Sequence, residues 1–288
     1  MSKTGLIPNR MSGQNEGLVK LLRENDPETV RLVKERLAED GEEGLGRLYE
    51  LCRVDDERVS AHARDVVAEI NGRSAVDEFS LICHFFGEGV NLEAACWALA
   101  RAIEPGVCTT GFEHKVNHWG RQFLIKIASA VSNRERVKLL ANYLSGDLDF
   151  RGNSDDYYCE RNSLLPRIIE ARAGIPITLT MLYMMVGSRA AMKIEGINLP
   201  GHFLARHGEV IFDPFHRGRI LTRADIEKIL ARQGLELTEC HLQPASPRQI
   251  MVRMLANLLY VYDLTGDCEK HGRVRGWIDC LICENPRR

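Results

Sequence analysis

A histidine and an aspartate stand on two short apolar segments that can pair as a hairpin. The stretch from Gly201 to Phe215 reads GHFLARHGEVIFDPF, and a two-residue turn at His207-Gly208 would set His202 directly opposite Asp213. Directly opposed residues have Cβ atoms roughly 4.5–5.5 Å apart on one face of a sheet. An imidazole oriented by a carboxylate acts as a general base and supplies two of the three groups of a nucleophilic triad. The third group, a nucleophile, is not adjacent in the sequence.

The surrounding pattern predicts the elements that would hold this pair. Pro176 opens a segment, ITLTMLYMMVGSRAAM, whose first turns are apolar on nearly every side, which is typical of a buried central helix. Three strands are predicted after it, KIEGINL, HFLAR and EVIFD, followed by the helix TRADIEKILARQG and a longer helical pair from about Pro247. Helices precede this region as well. The order predicts an α+β fold with a helical first half, a buried helix and a small antiparallel sheet.

The first part of the chain indicates a separate helical region. The segments LLRENDPETVRLVKERL and LCRVDDERVSAHARDVVAEI share a helix, an acidic turn and a second helix. This resembles the unit of HEAT-type repeats, so we predict a HEAT-like region over residues 19–74. Residues 1–18 are predicted to be a disordered leader, and Gly72-Arg73-Ser74 to be a short linker.

Composition excludes several classes of protein. A formal net charge of −2 gives no reason to expect nucleic acid or a membrane surface as a partner. The most apolar stretch, Ile175 to Val186, is shorter than the roughly 20 residues of a membrane-spanning helix. The opening residues lack the apolar segment of a secretory signal, and nine scattered cysteines suit reduced thiols. We therefore expect a soluble, cytoplasmic protein.

Four motifs in fixed order carry a family resemblance: FRGNSDDYYCERNSLL, GIPITL, NLPGHFLAR and IFDPFHRGRILT. Together they resemble the bacterial SirB-type transglutaminase-like family, whose members are related to transglutaminases and papain-like cysteine proteases. The likeness spans roughly residues 75–265. It implies a transglutaminase-like domain over 75–245 with a papain-like core, and a tetratricopeptide-like helical extension over 246–288 that holds little more than one repeat.

The resemblance also implies where a nucleophile would stand. A papain-like core places a cysteine at the start of the central helix, where the helix dipole and a histidine lower its pKa. His202 and Asp213 match the family's histidine and aspartate, whereas the helix start, Gly174 to Thr178, contains no cysteine. The nucleophile position falls near Pro176, which has neither a thiol nor a backbone N–H for an oxyanion hole. An ordinary transglutaminase or thiol protease mechanism is therefore not expected.

Several residues near the motifs have alternative roles. Thr178 or Thr180 could supply a hydroxyl nucleophile, although threonine is also common early in helices. Cys159 could bring a thiol from a loop, or be incidental. By the resemblance, the run Arg161-Asn162-Ser163 lines the cleft, and Asn162 would hold the ring of His202. Alternatively, Asn162 or Ser163 caps the helix that follows.

Metal ligation is the weakest of the interpretations, and we expect neither a metal nor a cofactor. His114 and His118 are four residues apart on a predicted helix but have no third ligand in sequence. Cys280 and Cys283 form a single CxxC, which suits one apolar face of the last helix. A metal-dependent mechanism would recruit His202, Asp213 and His216.

Two functions remain after these exclusions. The first is a transglutaminase-like protein without the nucleophilic cysteine, which uses its cleft to bind a peptide or protein segment. The second is a hydrolase or transferase of altered chemistry, in which His202 is the base, Asp213 orients it, and water or a hydroxyl group attacks. The expected partner is a protein or peptide in the first case.

Overall fold

The computed structural model describes residues 13–23, 26–39, 41–87 and 91–283. The chain forms two compact units. The first contains Met1–Val76 with Glu104–Gly106, and the second contains Asp77–Ile103 with Val107–Arg288. Within the described ranges, every helix is too short or too polar to cross a membrane.

The first unit is built from helices. They are α1 (Gly13–Arg23), α2 (Pro27–Glu39), α3 (Gly41–Leu51) and the first part of α4 (Glu57–His84). Their shared core contains aliphatic side chains spaced three or four apart, which are Val19, Leu22, Leu37, Leu48, Leu51, Val59, Ala63 and Val66. The HEAT-like character of this region stays a prediction.

Two predictions for this region need correction. Residues 1–12 of the predicted leader lie outside the described residues, but residues 13–18 belong to α1 and are helical, since Val19 and Leu22 anchor that helix in the core. The predicted linker at Gly72-Arg73-Ser74 lies inside the continuous helix α4. One glycine inside a helix costs only about 1 kcal/mol, which the packing of a long helix easily offsets.

The second unit contains the remaining α-helices. They are α5 (Leu92–Ile103), α6 (Thr110–Ile127), α7 (Asn133–Ala141), α8 (Leu165–Ala171), α9 (Pro176–Ser188), α10 (Arg223–Ala231), α11 (Pro247–Thr265) and α12 (Cys268–Ile282). Helix α9 is buried along almost its whole length, from Pro176 to Gly187. This confirms the predicted central helix, whose apolar residues point in every direction because neighbours cover every side.

The strands of the second unit form two small sheets. Strand β1 (Arg151–Gly152) pairs in parallel with β2 (Ala173–Gly174). Strands β3 (Glu195–Leu199), β4 (His202–His207), β5 (Val210–Asp213) and β6 (Arg219–Ile220) form an antiparallel sheet in the order β3-β4-β5-β6. The three predicted strands are confirmed, β1, β2 and β6 were not predicted, and the α+β fold class is confirmed.

The β4–β5 hairpin has a different register from the predicted one. His207 pairs with Val210, so the turn is Gly208-Glu209 and not His207-Gly208. Gly208 has φ +58°, which suits the first position of a type II′ turn, where glycine is preferred. The register differs by two residues from the predicted one. A shift by an even number keeps every side chain on its face, so His202 and Asp213 still share one face of the sheet.

The preceding turn fixes the start of β4. Leu199 pairs with His202, which leaves Pro200-Gly201 as a two-residue loop. Proline fixes φ near −65°, and Gly201 has φ +73°, as a type II turn requires at its two central positions. His202 is thereby the first residue of β4 and lies at the end of the sheet where β5 finishes.

The β4–β5 turn yields a stability prediction. We expect Gly208→Ala to lower the free energy of unfolding by about 1–2 kcal/mol, because a Cβ is strained at positive φ, and the added Cβ would also crowd the side chain of Asn133. Gly272→Ala, at an exposed position inside α12 with free space around it, should instead raise stability by up to about 1 kcal/mol. Urea unfolding of both variants measures the two changes, and equal effects would contradict the turn assignment.

Candidate functional site

The predicted histidine and aspartate form a hydrogen-bonded pair. His202 Nε2 lies 2.7 Å from Asp213 Oδ2. Continuing the observed register places Asp213 opposite Leu204, so the pair is diagonal across the hairpin and not directly opposed. Diagonal neighbours are roughly 7–8 Å apart at the backbone, a gap that an imidazole spans. The side chain of His202 is 13% exposed and that of Asp213 is 3% exposed.

The turn after β5 holds the carboxylate of Asp213 in place. Oδ1 accepts hydrogen bonds from the backbone N–H groups of Phe215 (3.0 Å) and His216 (3.3 Å). This is the local pattern by which aspartate closes a turn on its own backbone. The turn carries the ring of His216 back over the carboxylate, so that its Nδ1 lies 2.7 Å from Oδ2, the oxygen that His202 also contacts.

The pKa of Asp213 reflects these contacts. Burial by itself would raise the pKa of the carboxyl group. The hydrogen bonds and positive charge of His202 and His216 outweigh burial and hold the pKa below its ordinary value. Asp213 is therefore ionised at neutral pH, and an ionised carboxylate acts only as an acceptor.

This arrangement selects one tautomer of His202. Because Asp213 accepts a hydrogen bond, Nε2 of the neutral ring carries the proton and Nδ1 has a free lone pair. Nδ1 has no hydrogen-bond partner among residues 13–23, 26–39, 41–87 and 91–283. The ring also meets the edge of Phe215, with centroids 6.1 Å apart. The contact between His202 and Asp213 is thus present, and the role of His202 as a general base stays a prediction.

The start of the central helix stands beside this base. Pro176 is the first residue of α9, and it lines a small cavity together with His202 and Phe203. Its neighbours Ile175 and Ile177 are 3% and 2% exposed, so a shift of one residue brings no reactive group. The place where the resemblance implies a cysteine is therefore occupied by proline.

The alternative nucleophiles are in unsuitable surroundings. Thr178 is fully buried, and its hydroxyl donates to the carbonyl oxygens of Asn162 (2.8 Å) and Ile175 (3.1 Å). Thr180 is also fully buried. Burial raises the pKa of the Cys159 thiol, which disfavours the reactive thiolate. Thr178 thus stabilises the helix start rather than serving as a nucleophile.

The predicted roles of Asn162 and Ser163 need correction. The side chain of Asn162 donates to the carbonyl oxygens of Asp156 (2.5 Å) and Tyr157 (3.1 Å) and accepts from Asn153. It therefore folds the preceding loop and does not hold the ring of His202. Ser163 is buried in a 3-10 turn, and the residue that caps α8 is Leu164, without a side-chain hydrogen bond. Neither predicted cap is formed.

An open cleft of about 430 Å³ lies on the other side of the His202–Asp213 pair. Part of its lining comes from α10 and the turn after it, including Lys228 and Arg232, which were not predicted as site residues. The spacing of four residues puts these two cations on one helix face, and this spacing is the feature of the sequence that could have indicated them. Arg219 also lines the cleft, but it is paired with Asp225 at 2.8 Å.

The other predicted metal candidates do not gain ligands. His114 and His118 are exposed on α6, and the described residues provide no third ligand near them. Cys280 and Cys283 are both exposed, so the interpretation of this pair as an apolar helix face is wrong.

Comparison with known proteins agrees with this geometry. The family model described as the transglutaminase-like superfamily matches residues 111–256, which is 146 of 288 residues. The chain belongs to the transglutaminase-like superfamily. The matched range contains α9, the four-stranded sheet and α10, and therefore the whole candidate site.

Individual relatives extend the comparison. A UPF0162 protein of Xylella fastidiosa is 35% identical over 161 residues, which is 52% of this chain and 57% of that protein. A UPF0162 protein of Pseudomonas aeruginosa is 28% identical over 61% of this chain and 66% of its own length. Human F-box only protein 21 is 27% identical over 50% of this chain and 25% of its own length. The chain thus spans little more than half of the Xylella relative. No solved structure matches the chain significantly.

The position of Pro176 yields a test of the retained catalytic frame. We expect the thiol introduced by Pro176→Cys to have a pKa about one unit or more below that of an ordinary cysteine, because the helix start and His202 favour the thiolate. The pH dependence of iodoacetamide labelling, followed by peptide mass spectrometry, measures it. The exposed native Cys108 is the internal reference.

The matched control for this measurement adds His202→Ala to the same variant. The pKa of the introduced thiol should then rise, because only the helix start still favours the thiolate. Identical labelling profiles in the two variants would show that Pro176 does not occupy the nucleophile position.

Proposed function

We propose that this protein binds an acidic group of a protein or peptide segment and does not act by thiol catalysis. The observation that carries the proposal is Pro176 at the start of α9, beside an oriented His202–Asp213 pair. A thiol route needs a nucleophile there, and the nearest hydroxyl, on Thr178, is committed to two carbonyl oxygens. The cleft next to the pair remains open.

The charges of the cleft favour an anionic ligand. Lys228 and Arg232 are exposed, line the cleft and form no ion pair with any residue in the described part of the chain. The carboxylate of Asp213 is already satisfied by four hydrogen bonds, two from imidazoles and two from backbone N–H groups. Asp225, the other carboxylate of the lining, is paired with Arg219 at 2.8 Å. The cleft therefore offers two cations without an ion pair and two carboxylates that already have partners, which suits a carboxylate of the ligand.

The size and surroundings of the cleft suit a short peptide segment. A volume of about 430 Å³ lies within the range of small-ligand sites and holds a few side chains. Tyr157 lines the small cavity beside His202. Tyr158 follows it in the chain and is exposed, and its ring lies 5.0 Å from the exposed ring of Tyr260. Aromatic side chains are enriched in protein interfaces because they bury a large area at low entropic cost.

One observation favours the second function, a hydrolase or transferase of altered chemistry. The free lone pair on Nδ1 of His202 is where a general base would accept a proton from water. This function also needs a group that stabilises the developing oxyanion, and Pro176 removes one backbone N–H from the helix start. We therefore rank it second.

Charge reversal tests the binding proposal. We expect peptides selected from a random displayed library on the purified protein to be enriched in aspartate and glutamate. Lys228→Glu combined with Arg232→Glu should weaken binding of the selected peptide by about tenfold or more, equivalent to ~1.4 kcal/mol. Fluorescence anisotropy of the labelled peptide measures the change.

Another helix of the same unit offers a matched control. Arg134→Glu combined with Lys138→Glu makes the same reversal at the same spacing on α7, at two residues that are exposed and do not line the cleft. It should leave peptide affinity unchanged. Equal losses of peptide affinity in both double variants would show that only the net charge of the protein matters, and would contradict the cleft as the binding site.

A substrate panel separates binding from catalysis. We expect the wild-type protein to show no His202-dependent turnover of amide, ester or isopeptide substrates. Product formation that falls by about a hundredfold in both His202→Ala and Asp213→Ala, the scale of general-base loss, would instead establish the altered-chemistry enzyme.

A further inference from the structure

Three potential metal ligands converge at the buried end of the cleft. His202 Nε2 and His216 Nδ1 each lie 2.7 Å from the same atom, Asp213 Oδ2. All three ligand atoms fall within 4.8 Å of one another, and no other group of three such side chains occurs within the described ranges. We propose that His202 Nε2, Asp213 Oδ2 and His216 Nδ1 bind a divalent transition-metal cation, with zinc as the representative ion. On binding, the proton that each imidazole donates to Asp213 moves to the other nitrogen of the same ring, so each ring binds the ion as a neutral imidazole.

The donor atoms suit this class of ion. Two imidazole nitrogens and one carboxylate oxygen form a ligand set that zinc and iron(II) accept, whereas calcium and magnesium prefer oxygen ligands alone. Around a tetrahedral ion with bonds of about 2.0–2.2 Å, ligand atoms lie roughly 3.4 Å apart. The two observed N···O separations of 2.7 Å would need to open by less than about 1 Å to admit the ion, and the two ring nitrogens lie within 4.8 Å of each other.

Two of the ligands are fixed, and the third can adjust. His202 is 13% exposed and Asp213 is 3% exposed, whereas the side chain of His216 is 62% exposed on a turn. The second carboxylate oxygen, Oδ1, is held by two backbone N–H groups. Hydrogen bonds of this kind orient a metal-binding carboxylate and are part of a working site.

The coordination sphere would remain open on one side. The three ligands come from the chain, and the cleft of about 430 Å³ adjoins all three of them. Sites with three protein ligands and one open position hold water or a ligand group, in contrast to closed structural sites with four protein ligands. The inference needs only these three side chains, so it stands independently of the peptide-binding proposal.

Zinc titration of the full-length protein tests the site. After chelator treatment and blocking of thiols with N-ethylmaleimide, isothermal titration calorimetry should show one equivalent of Zn²⁺ bound. His216→Ala should weaken binding by more than about a hundredfold, beyond the loss of an outer-shell partner. Because His216 is largely exposed, this variant should keep its fold, which circular dichroism checks.

Controls separate this site from other ligands. His114→Ala removes an exposed histidine outside the cluster and should bind zinc as the wild type does. Cobalt(II) should give visible ligand-field bands without a thiolate charge-transfer band, even when the cysteines are not blocked. Absence of stoichiometric zinc in the wild type would overturn the proposal, and so would unchanged affinity in His216→Ala.

Discussion

A carboxylate buried to 3% exposure must have its charge compensated, and the local structure around Asp213 follows from that requirement. Each of its two oxygens accepts two hydrogen bonds. To supply them, β4 must begin at His202, and the chain must turn tightly after Pro214. The same turn then leads the chain into β6, in which Arg219 is the residue opposite Asp213 in the strand register. The Pro200-Gly201 turn meets the first of these needs, since it sets His202 at the start of its strand.

The packing of the central helix does not depend on which residue begins it. The tight packing of α9 against the sheet depends on its apolar surface, from Pro176 to Gly187, and not on the chemistry of its first residue. Proline is favoured at the first position of a helix, where an N–H would be unpaired. A substitution of cysteine by proline there removes the thiol at little cost to the fold. The histidine and aspartate remain oriented because their geometry is determined by turns and hydrogen bonds, independently of the helix start.

The sequence predicted those parts of the structure that local patterns determine. The apolar pattern of α9 and the two short apolar segments around Gly208 were sufficient for the fold class and for the shared face of His202 and Asp213. The turn was misplaced because both His207-Gly208 and Gly208-Glu209 contain the glycine, and only the observed pairing of His207 with Val210 decides between them. The error was an even number of residues, so the pairing survived it.

Features that depend on distant packing were not predictable in this way. Asn162 was assigned to the ring of His202 by analogy, whereas its amide is committed to carbonyl groups within its own loop. Lys228 and Arg232 belong to the cleft only because α10 packs beside β4, through the apolar residues Ile226 and Leu230 against the sheet. No pattern in the sequence predicts which face of a helix packs against which strand.

The two proposed properties of the cleft are electrostatically compatible. With neutral imidazoles, the cluster of His202, Asp213 and His216 carries one negative charge, so a bound divalent cation would leave a net charge of about +1. That charge would add to those of Lys228 and Arg232 at the same cleft. A metal bound there would therefore strengthen the attraction for an acidic group. A bound divalent cation would also act as a Lewis acid and polarise a carbonyl group of the ligand.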